Sequence, residues 1–232
     1  KQIIEALNLP EDMVRLTLAG VGGAFGGRED VSMHVHLCML ALHTGRPVKM
    51  IYDRNESFLG HVHRHPAKIW YRHHANKDGL LVKVEGKIIL DGGAYASTTS
   101  AVLANACCFS TGPYKVDNAQ IEGWGVRTNN PPCGAMRGFG NVQTCFAIEA
   151  QMDKIASALD IDPVELRLKN ALEPGDQIIT GQKITGAAPV KEVISSLADH
   201  PMPEPAINDL LARPGGTGRT TDQKHVKRGV GF

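Results

Sequence analysis

Two clusters of glycine constrain the fold of this chain more than any other feature of its sequence. The first lies at 22–29 and reads GGAFGGRE, with four glycines in six positions, and the second lies at 135–140 and reads AMRGFG. Glycine adopts positive φ without a steric penalty and lets a ligand or another backbone approach closely. Each cluster precedes a segment with helical periodicity. We therefore expect two tight loops leading into helices, whose free N–H groups would favour an anion.

Neither cluster is a nucleotide-binding motif. Gly22 and Gly27 have the spacing of a P-loop, but Arg28-Glu29 stands where Lys-Ser/Thr would hold phosphate and magnesium. Phe25 occupies the place of the third glycine in a GxGxxG motif. Taken singly, neither loop distinguishes an anion site from a plain connection into a helix.

The periodicity of the apolar residues predicts an α+β fold with mixed sheets packed against helices. Strands are predicted at 14–18, 48–52, 66–75, 80–90 and 119–128, and helices at 31–42, 101–109 and 142–159. A hairpin turn at 76–79 joins two of the strands. Asp53 and Glu56 have the spacing of a capping box, and Asp162 before Pro163 marks a further helix start. The buried stripe of the helix at 142–159 is predicted to consist of Phe146, Ala150, Met152, Ile155 and Leu159.

Composition changes along the chain predict three parts. Residues 1–188 form the main folded segment, 189–226 read as a linker-like irregular segment rich in proline and glycine, and 227–232 read as the start of a further, truncated segment. The sequence is thus expected to be part of a longer chain.

Charge and cysteine content exclude several classes of protein. The chain of 232 residues has 25 Lys plus Arg and 24 Asp plus Glu, a balance that offers no footprint for nucleic acid or an anionic membrane. It contains no apolar run of the length that crosses a bilayer. Its five cysteines form no CxxC pair. This pattern favours reduced thiols in a cytoplasmic protein over a disulfide framework or a zinc or iron–sulfur site.

Three alternating histidines form a separate motif. His61, His63 and His65 would share one face of a strand and could then hold a metal ion. The alternative is a partly exposed segment in which His65 ends a turn before Pro66. The sequence favours this second interpretation.

Together the two clusters resemble a pair of motifs in the molybdenum hydroxylases, the family of xanthine dehydrogenases and aldehyde oxidases. The large subunit of that family carries GGxFGG[KR]E and, further along, [AY]xRGFG before a helix. Supporting matches are Arg64-His65-Pro66, the DGGAY sequence at 91–95, and DPVELRLKN at 162–170. The resemblance runs in order over 14–172. It implies that 1–188 is a molybdopterin-binding segment of the large subunit.

The resemblance also implies roles for individual residues. Contacts to the molybdopterin are implied for Gly23, Ala24, Phe25, Gly26, Met136 and Arg137. Phe25 and Arg137 would face the molybdenum through the main chain only. Glu29 would contact the substrate and stabilise charge that shifts onto its ring, a catalytic role, while Phe139 would pack on that ring. Asn105 falls where purine-oxidising relatives have a substrate-orienting arginine.

The implied reaction is oxidative hydroxylation of a purine, such as hypoxanthine or xanthine, or of a similar N-heterocycle. Iron–sulfur clusters and FAD would reside in other domains or subunits. One alternative is an aldehyde oxidase or a carbon-monoxide-dehydrogenase-like member, and another, of a different class, is a non-catalytic anion-binding or interaction domain. The family's metal-facing glutamine and catalytic glutamate have no counterpart here, so the chain alone is expected to be inactive.

Overall fold

A computed structural model of the chain describes residues 1–200. In chain order the elements are α1 (Gln2–Leu7), a 3-10 turn (Glu11–Met13), α2 (His34–Thr44), α3 (Arg54–Gly60), β1 (Ala67–Ala75), β2 (Leu81–Gly93), α4 (Thr99–Cys108), β3 (Asn118–Arg127), α5 (Asn141–Leu159), α6 (Pro163–Asn170) and α7 (Val190–Ala198). No helix within the described range is long and apolar enough to cross a bilayer.

The three strands form one mixed sheet in the order β1-β2-β3. β1 and β2 are antiparallel, with Ala67 opposite Leu90, and the predicted hairpin turn joins them. β2 and β3 are parallel, with Lys83 opposite Asn118, so their connection must cross over the sheet, and α4 lies in that connection. The mixed sheet with packed helices confirms the predicted α+β class.

The core lies between one face of the sheet and helices α4 and α5. Val84, Ile88 and Leu90 share a face of β2 and are fully buried. Val84 belongs to a cluster with Ile148 of α5, whereas Ile88 and Leu90 pack with the small residues of α4. This face of the sheet therefore fixes both helices, and α5 begins directly after the second glycine cluster.

The predicted stripe of α5 is only partly confirmed: Met152 is fully buried and Ile155 packs partly buried against the core, but Ala150 and Leu159 are only half-buried and Phe146 is exposed. The buried residues are Thr144, Ile148, Met152 and Ala156, a row with a spacing of four. Phe146 is 80% exposed. The apolar pattern misled because the face that meets the sheet includes a threonine, whose hydroxyl donates to the carbonyl of Asn141, and a small alanine.

The predicted strands at 14–18 and 48–52 are also wrong. Both segments lack strand pairing in the described structure. Val14 is extended, but Leu16 and Leu18 are more than 70% exposed, as is Ile51. Alternating apolar residues favour extended backbone, whereas a strand also needs a neighbour to receive its hydrogen bonds.

Helix boundaries follow the capping signals closely except at α2. The capping box of Asp53 and Glu56 begins α3, and the carboxylate of Asp162 caps α6 before Pro163, as predicted. α2 begins at His34, later than the predicted 31. Gly45, with φ of 62°, follows its last residue as the C-cap. The first glycine cluster therefore does not run directly into a helix, which corrects that expectation.

The segment expected to be irregular from residue 189 onward begins with helix α7, Val190–Ala198. Its first turns pack near α6, so a helix replaces the start of the predicted linker. The remainder, 201–226, and the predicted further segment, 227–232, lie outside the described residues.

Candidate functional site

The first glycine loop, residues 22–29, is a tight turn built around an aromatic residue. The N–H of Gly27 donates to the carbonyl of Ala24 at 2.8 Å, and the turn places Phe25 at φ 52° and Gly26 at φ 97°. A Cβ on Gly23 would lie 3.0 Å from the Phe25 ring. Glycine at 23 and 26 thus allows the turn and leaves room for the ring.

The second loop, residues 135–140, repeats this design on the packed side of the molecule. The N–H of Phe139 donates to the carbonyl of Met136 at 2.8 Å, and Phe139 has φ of 45°. Gly138 and Gly140 flank it with φ of 93° and 98°. A Cβ on Gly140 would lie 2.4 Å from the carbonyl oxygen of Val102 in α4. This loop does lead into a helix, α5, as predicted.

The two loops touch. The N–H of Arg137 donates to the carbonyl of Phe25 at 3.0 Å, and the Arg137 guanidinium lies 5.5 Å from the centre of the Phe25 ring. A Cβ on Gly26 would lie 2.5 Å from the carbonyl oxygen of Ala135. The roles implied for Phe25 and Arg137 require the two loops to lie together, and this contact meets that requirement despite their wide separation along the chain.

Each loop holds an aromatic residue in a strained conformation. Positive φ is uncommon for a bulky side chain, and such residues cost on the order of 1–3 kcal/mol and cluster at ligand sites. Phe25 and Phe139 are the two phenylalanines that have it in the described chain. Because the two strained loops are in contact, we infer that they belong to the same ligand site.

One main-chain donor remains open at this junction. The carbonyl of Phe25 is used by Arg137, but the N–H of Phe25 has no acceptor among residues 1–200. The Phe25 side chain is 65% exposed. A fixed backbone donor next to a glycine cradle suits an oxygen-rich or anionic group.

Side chains from outside the loops hold them in place. We call residues 61–65 the clasp segment. The His61 Nε2 atom lies 3.1 Å from the carbonyl of Gly27 in the first loop. Arg64 Nη2 donates to the carbonyl of Arg137 in the second loop at 2.7 Å. Sequence reasoning missed both roles, although Arg64 lies in a motif that the sequence had singled out.

The alternating histidines therefore separate rather than converge. His65 is buried and its Nε2 lies 2.8 Å from the Thr99 hydroxyl, while Gln143 donates to its carbonyl. Burial lowers the pKa of His65, against the opposing effect of Asp91. His65 is a neutral internal link between the clasp segment and helices α4 and α5. No group of three or more His, Cys, Asp or Glu side chains suited to a metal ion occurs within 1–200.

Asn105 takes part in the site through the second loop. Its Nδ2 donates to the carbonyl of Phe139 at 2.7 Å and to Oδ1 of Asn141 at 3.1 Å. Both N–H bonds of the amide are thereby engaged, and only Oδ1 is left for a substrate. The structure thus assigns Asn105 a part in fixing the loop, and its contact with substrate stays a prediction.

Glu29 is exposed at the end of the first loop. It lies five residues before α2 begins, too far to act as a helix cap. Glu29 therefore does not cap α2. Its contact with substrate also stays a prediction.

Comparison with known proteins shows the family to which the chain is related. The model of the family described as "Molybdopterin cofactor-binding domain" matches residues 1–171. A probable xanthine dehydrogenase subunit from Bacillus subtilis is 36% identical over 201 residues, which are 87% of this chain and 27% of that protein. The "Nicotinate dehydrogenase large molybdopterin subunit" from Eubacterium barkeri is 39% identical over 193 residues, 83% of this chain and 45% of that protein.

A solved structure extends the likeness to three dimensions. The aldehyde oxidoreductase from Desulfovibrio gigas superposes with a TM-score of 0.79 and 31% identity, covering 84% of this chain and 22% of that one. The chain thus spans from about a fifth to less than half of the length of these relatives.

Proposed function

The chain belongs to the family of molybdopterin cofactor-binding domains, and we propose that its two loops form part of the cofactor cage of a molybdenum hydroxylase. The observation that carries the proposal is the contact between Phe25 and Arg137, which brings the two motifs together. When bound, the cofactor would supply the oxidative hydroxylation of an electron-poor carbon.

The residues of this chain would position the cofactor and polarise its metal end. The open N–H of Phe25 would donate to the metal end of the cofactor, and Gly23, Ala24 and Gly26 would let the pterin group approach the backbone. Arg137, through its main chain, and Met136 would also hold the cofactor. A fixed donor of this kind is worth about 3 kcal/mol of barrier in an enclosed site.

We propose an N-heterocycle, with purines such as hypoxanthine and xanthine foremost, as the substrate. The Phe139 ring would pack on a planar heterocycle, and the carboxylate of Glu29 and Oδ1 of Asn105 would meet its ring N–H groups. The names of two relatives refer to xanthine and to nicotinate, both nitrogen heterocycles. An aldehyde is the second candidate because of the likeness to aldehyde oxidoreductase.

The proposal includes partners and a location. Electrons leaving the site would pass to iron–sulfur clusters and FAD in other domains or subunits. The cage would be completed by large-subunit residues outside this chain, so we expect the chain alone to turn over no substrate. The number and spacing of the cysteines support a cytoplasmic location.

A substrate panel tests the proposal. The complete large subunit, assembled with its electron-transfer partners and analysed for molybdenum, would be assayed with hypoxanthine, xanthine, nicotinate and benzaldehyde. We expect the kcat/KM for at least one heterocycle to exceed that for benzaldehyde by about tenfold or more. A preference for benzaldehyde would support the aldehyde class instead. A protein free of molybdenum and inactive on all four would support a non-catalytic domain.

A further inference from the structure

One side chain outside the two glycine clusters, that of Arg64, binds the main chain of the second loop next to Gly138. Arg64 Nη2 donates to the carbonyl of Arg137 at 2.7 Å, across 73 positions of sequence. A hydrogen bond from a charged donor at this distance is among the stronger kinds in proteins. The bonded oxygen belongs to the peptide that joins Arg137 to Gly138, and Gly138 has φ of 93°. Such a peptide can rotate easily unless something holds it.

Arg64 is well placed to hold this peptide because its own backbone is fixed. The N–H of His63 donates to the carbonyl of Pro132 at 3.1 Å, and the N–H of Gly134 donates back to the carbonyl of His63 at 2.9 Å. On the other side His65 is buried against Thr99. The guanidinium is therefore presented from a hydrogen-bonded segment to a peptide that precedes a positive-φ glycine.

An ordinary ion pair does not account for Arg64. Its Nη1 atom is buried and has no hydrogen-bond partner among residues 1–200. The Arg137 carbonyl is the acceptor that the side chain does have in that range. Arg64 is half-buried and donates its hydrogen bond to one main-chain carbonyl. It is therefore better suited to fixing the conformation of that backbone than to neutralising a carboxylate.

The grip reaches the first loop as well. The Arg137 main chain is held at both ends, its N–H by the carbonyl of Phe25 and its carbonyl by Arg64. The same clasp segment touches the first loop through His61, 3.1 Å from the carbonyl of Gly27. Releasing Arg64 would free the carbonyl end of Arg137, the residue that ties the two loops together.

We propose that Arg64 is a positioning residue, which fixes the Arg137–Gly138 peptide and thereby sets the relative position of the two loops. Its importance for activity rests on the function proposed above, but its effect on the loops does not. Arg64 contacts neither cofactor nor substrate in this proposal and acts through Arg137.

Hydrogen exchange of the complete large subunit, read by mass spectrometry, tests the effect on the loops. In Arg64→Gln, amides in 135–140 should exchange about tenfold faster, as expected for the loss of one hydrogen bond from a charged donor. Amides of β2 provide the internal reference. Arg64→Lys keeps a charged donor but not the planar fork. In this variant the amides of 135–140 should exchange about twofold to fivefold faster than in the parent. Arg72→Gln, at an exposed arginine of β1 stacked on Trp70, is the matched control and should leave 135–140 unchanged.

Steady-state kinetics supply a readout that a merely structural role would not move. In Arg64→Gln, kcat should fall about tenfold while KM for a heterocycle changes less than about twofold, because the side chain does not touch substrate. Arg64→Lys should recover part of kcat. Unchanged exchange in 135–140 and unchanged kcat would overturn the proposal. If Arg64→Gln does not fold, the lysine variant decides alone, and parental exchange and kcat in that variant would overturn the proposal.

The two proposals can fail separately. A parent protein without molybdenum would remove the proposed function, while hydrogen exchange would still decide the role of Arg64. A parent protein that holds molybdenum and hydroxylates heterocycles, with an Arg64→Gln variant identical in exchange and kcat, would remove the role of Arg64 alone.

Discussion

The two glycine loops lie in regions of opposite character. In the N-terminal region, residues 1–64, not one residue is buried, whereas every buried apolar side chain of the described structure lies between Tyr71 and Leu172. The first loop belongs to the former region and the second to the latter. Local packing can fix the second loop, but the first depends on hydrogen bonds to its neighbours.

Those hydrogen bonds come from a few sites. Arg137 donates to Phe25, His61 contacts Gly27, and Ser97 donates to Asp30 at 2.7 Å. The second loop is thus held by the packed region itself, whereas the first loop is held largely by hydrogen bonds to that region. A change in the packed region should therefore affect stability, whereas a change in the first loop should affect the site alone.

The largest difference should appear when equal side chains are truncated in the two regions. Leu166→Ala removes a fully buried side chain from the core cluster that includes Val84 and Met152, and should lower the free energy of unfolding by about 2–5 kcal/mol. Leu59→Ala, at a residue 86% exposed, should change it by less than about 0.5 kcal/mol. Chemical denaturation of the chain measures both. Equal losses would contradict the contrast between the regions.

Glycine substitutions in the two loops should differ in their effect on stability. Gly140→Ala imposes φ of 98° on alanine and a contact with the Val102 carbonyl, so strain and overpacking should lower the free energy of unfolding by about 2–4 kcal/mol. Gly26→Ala imposes a similar φ of 97°. Because the first loop has no core beneath it, the loop should move instead, with a loss below about 1 kcal/mol. Thermal unfolding of the two variants would refute the contrast if Gly26→Ala proved the more destabilising.

A half-buried histidine, whose two ring nitrogens are shielded from solvent, should make the packed region sensitive to acid. Burial, with a smaller contribution from the neighbouring His74, lowers the pKa of His73 to about 4. The unfolded chain then binds more protons than the folded chain between the ordinary pKa of about 6.5 and that value. Stability is full above this range and falls as the pH drops through it, by on the order of 1–3 kcal/mol.

His73→Leu should remove that part of the acid sensitivity when unfolding is measured at pH values on both sides of the range. His43→Gln, at an exposed histidine of α2, is the control from the N-terminal region and should keep the parental dependence on pH. An identical pH dependence for His73→Leu and the parent would show that His73 does not carry the effect.

The smallest expected change concerns the first loop and catalysis. Glu29→Gln keeps the size of an exposed side chain and removes its charge, so stability should be unaffected. If Glu29 contacts substrate, the rate should fall by more than about tenfold, or about 1.4 kcal/mol, and more for a purine than for an aldehyde. Parental purine oxidation by a variant loaded with molybdenum would reject this role.

The same contrast explains which parts of the structure the sequence could predict. The hairpin of β1 and β2, the capping of α3 and α6, and the tight turn within each loop depend on residues close in sequence. The segments at 14–18 and 48–52 show the limit, because their extended pattern cannot reveal whether a partner strand is present. The buried face of α5 is equally hard to predict, since it includes Thr144 and Ala156, neither of which is a large apolar residue.

Within the candidate site, the motifs identified both loops and their contact, but not what holds them. His61 and Arg64 reach residues that are 34 and 73 positions away. Nothing in local sequence specifies those distances. The histidine alternation suggested a single purpose, but the fold gives His61 to the first loop and His65 to the core.

The molybdenum content of the complete large subunit tests the central claim, that the two loops form one cofactor site. The parent protein and Gly22→Ala, whose added Cβ has no neighbour within 4 Å, should both carry stoichiometric molybdenum. Gly26→Ala, which forces the first loop away from Ala135, should carry far less while remaining folded. A parent protein without molybdenum, or a folded Gly26→Ala variant with the parental amount, would contradict the claim.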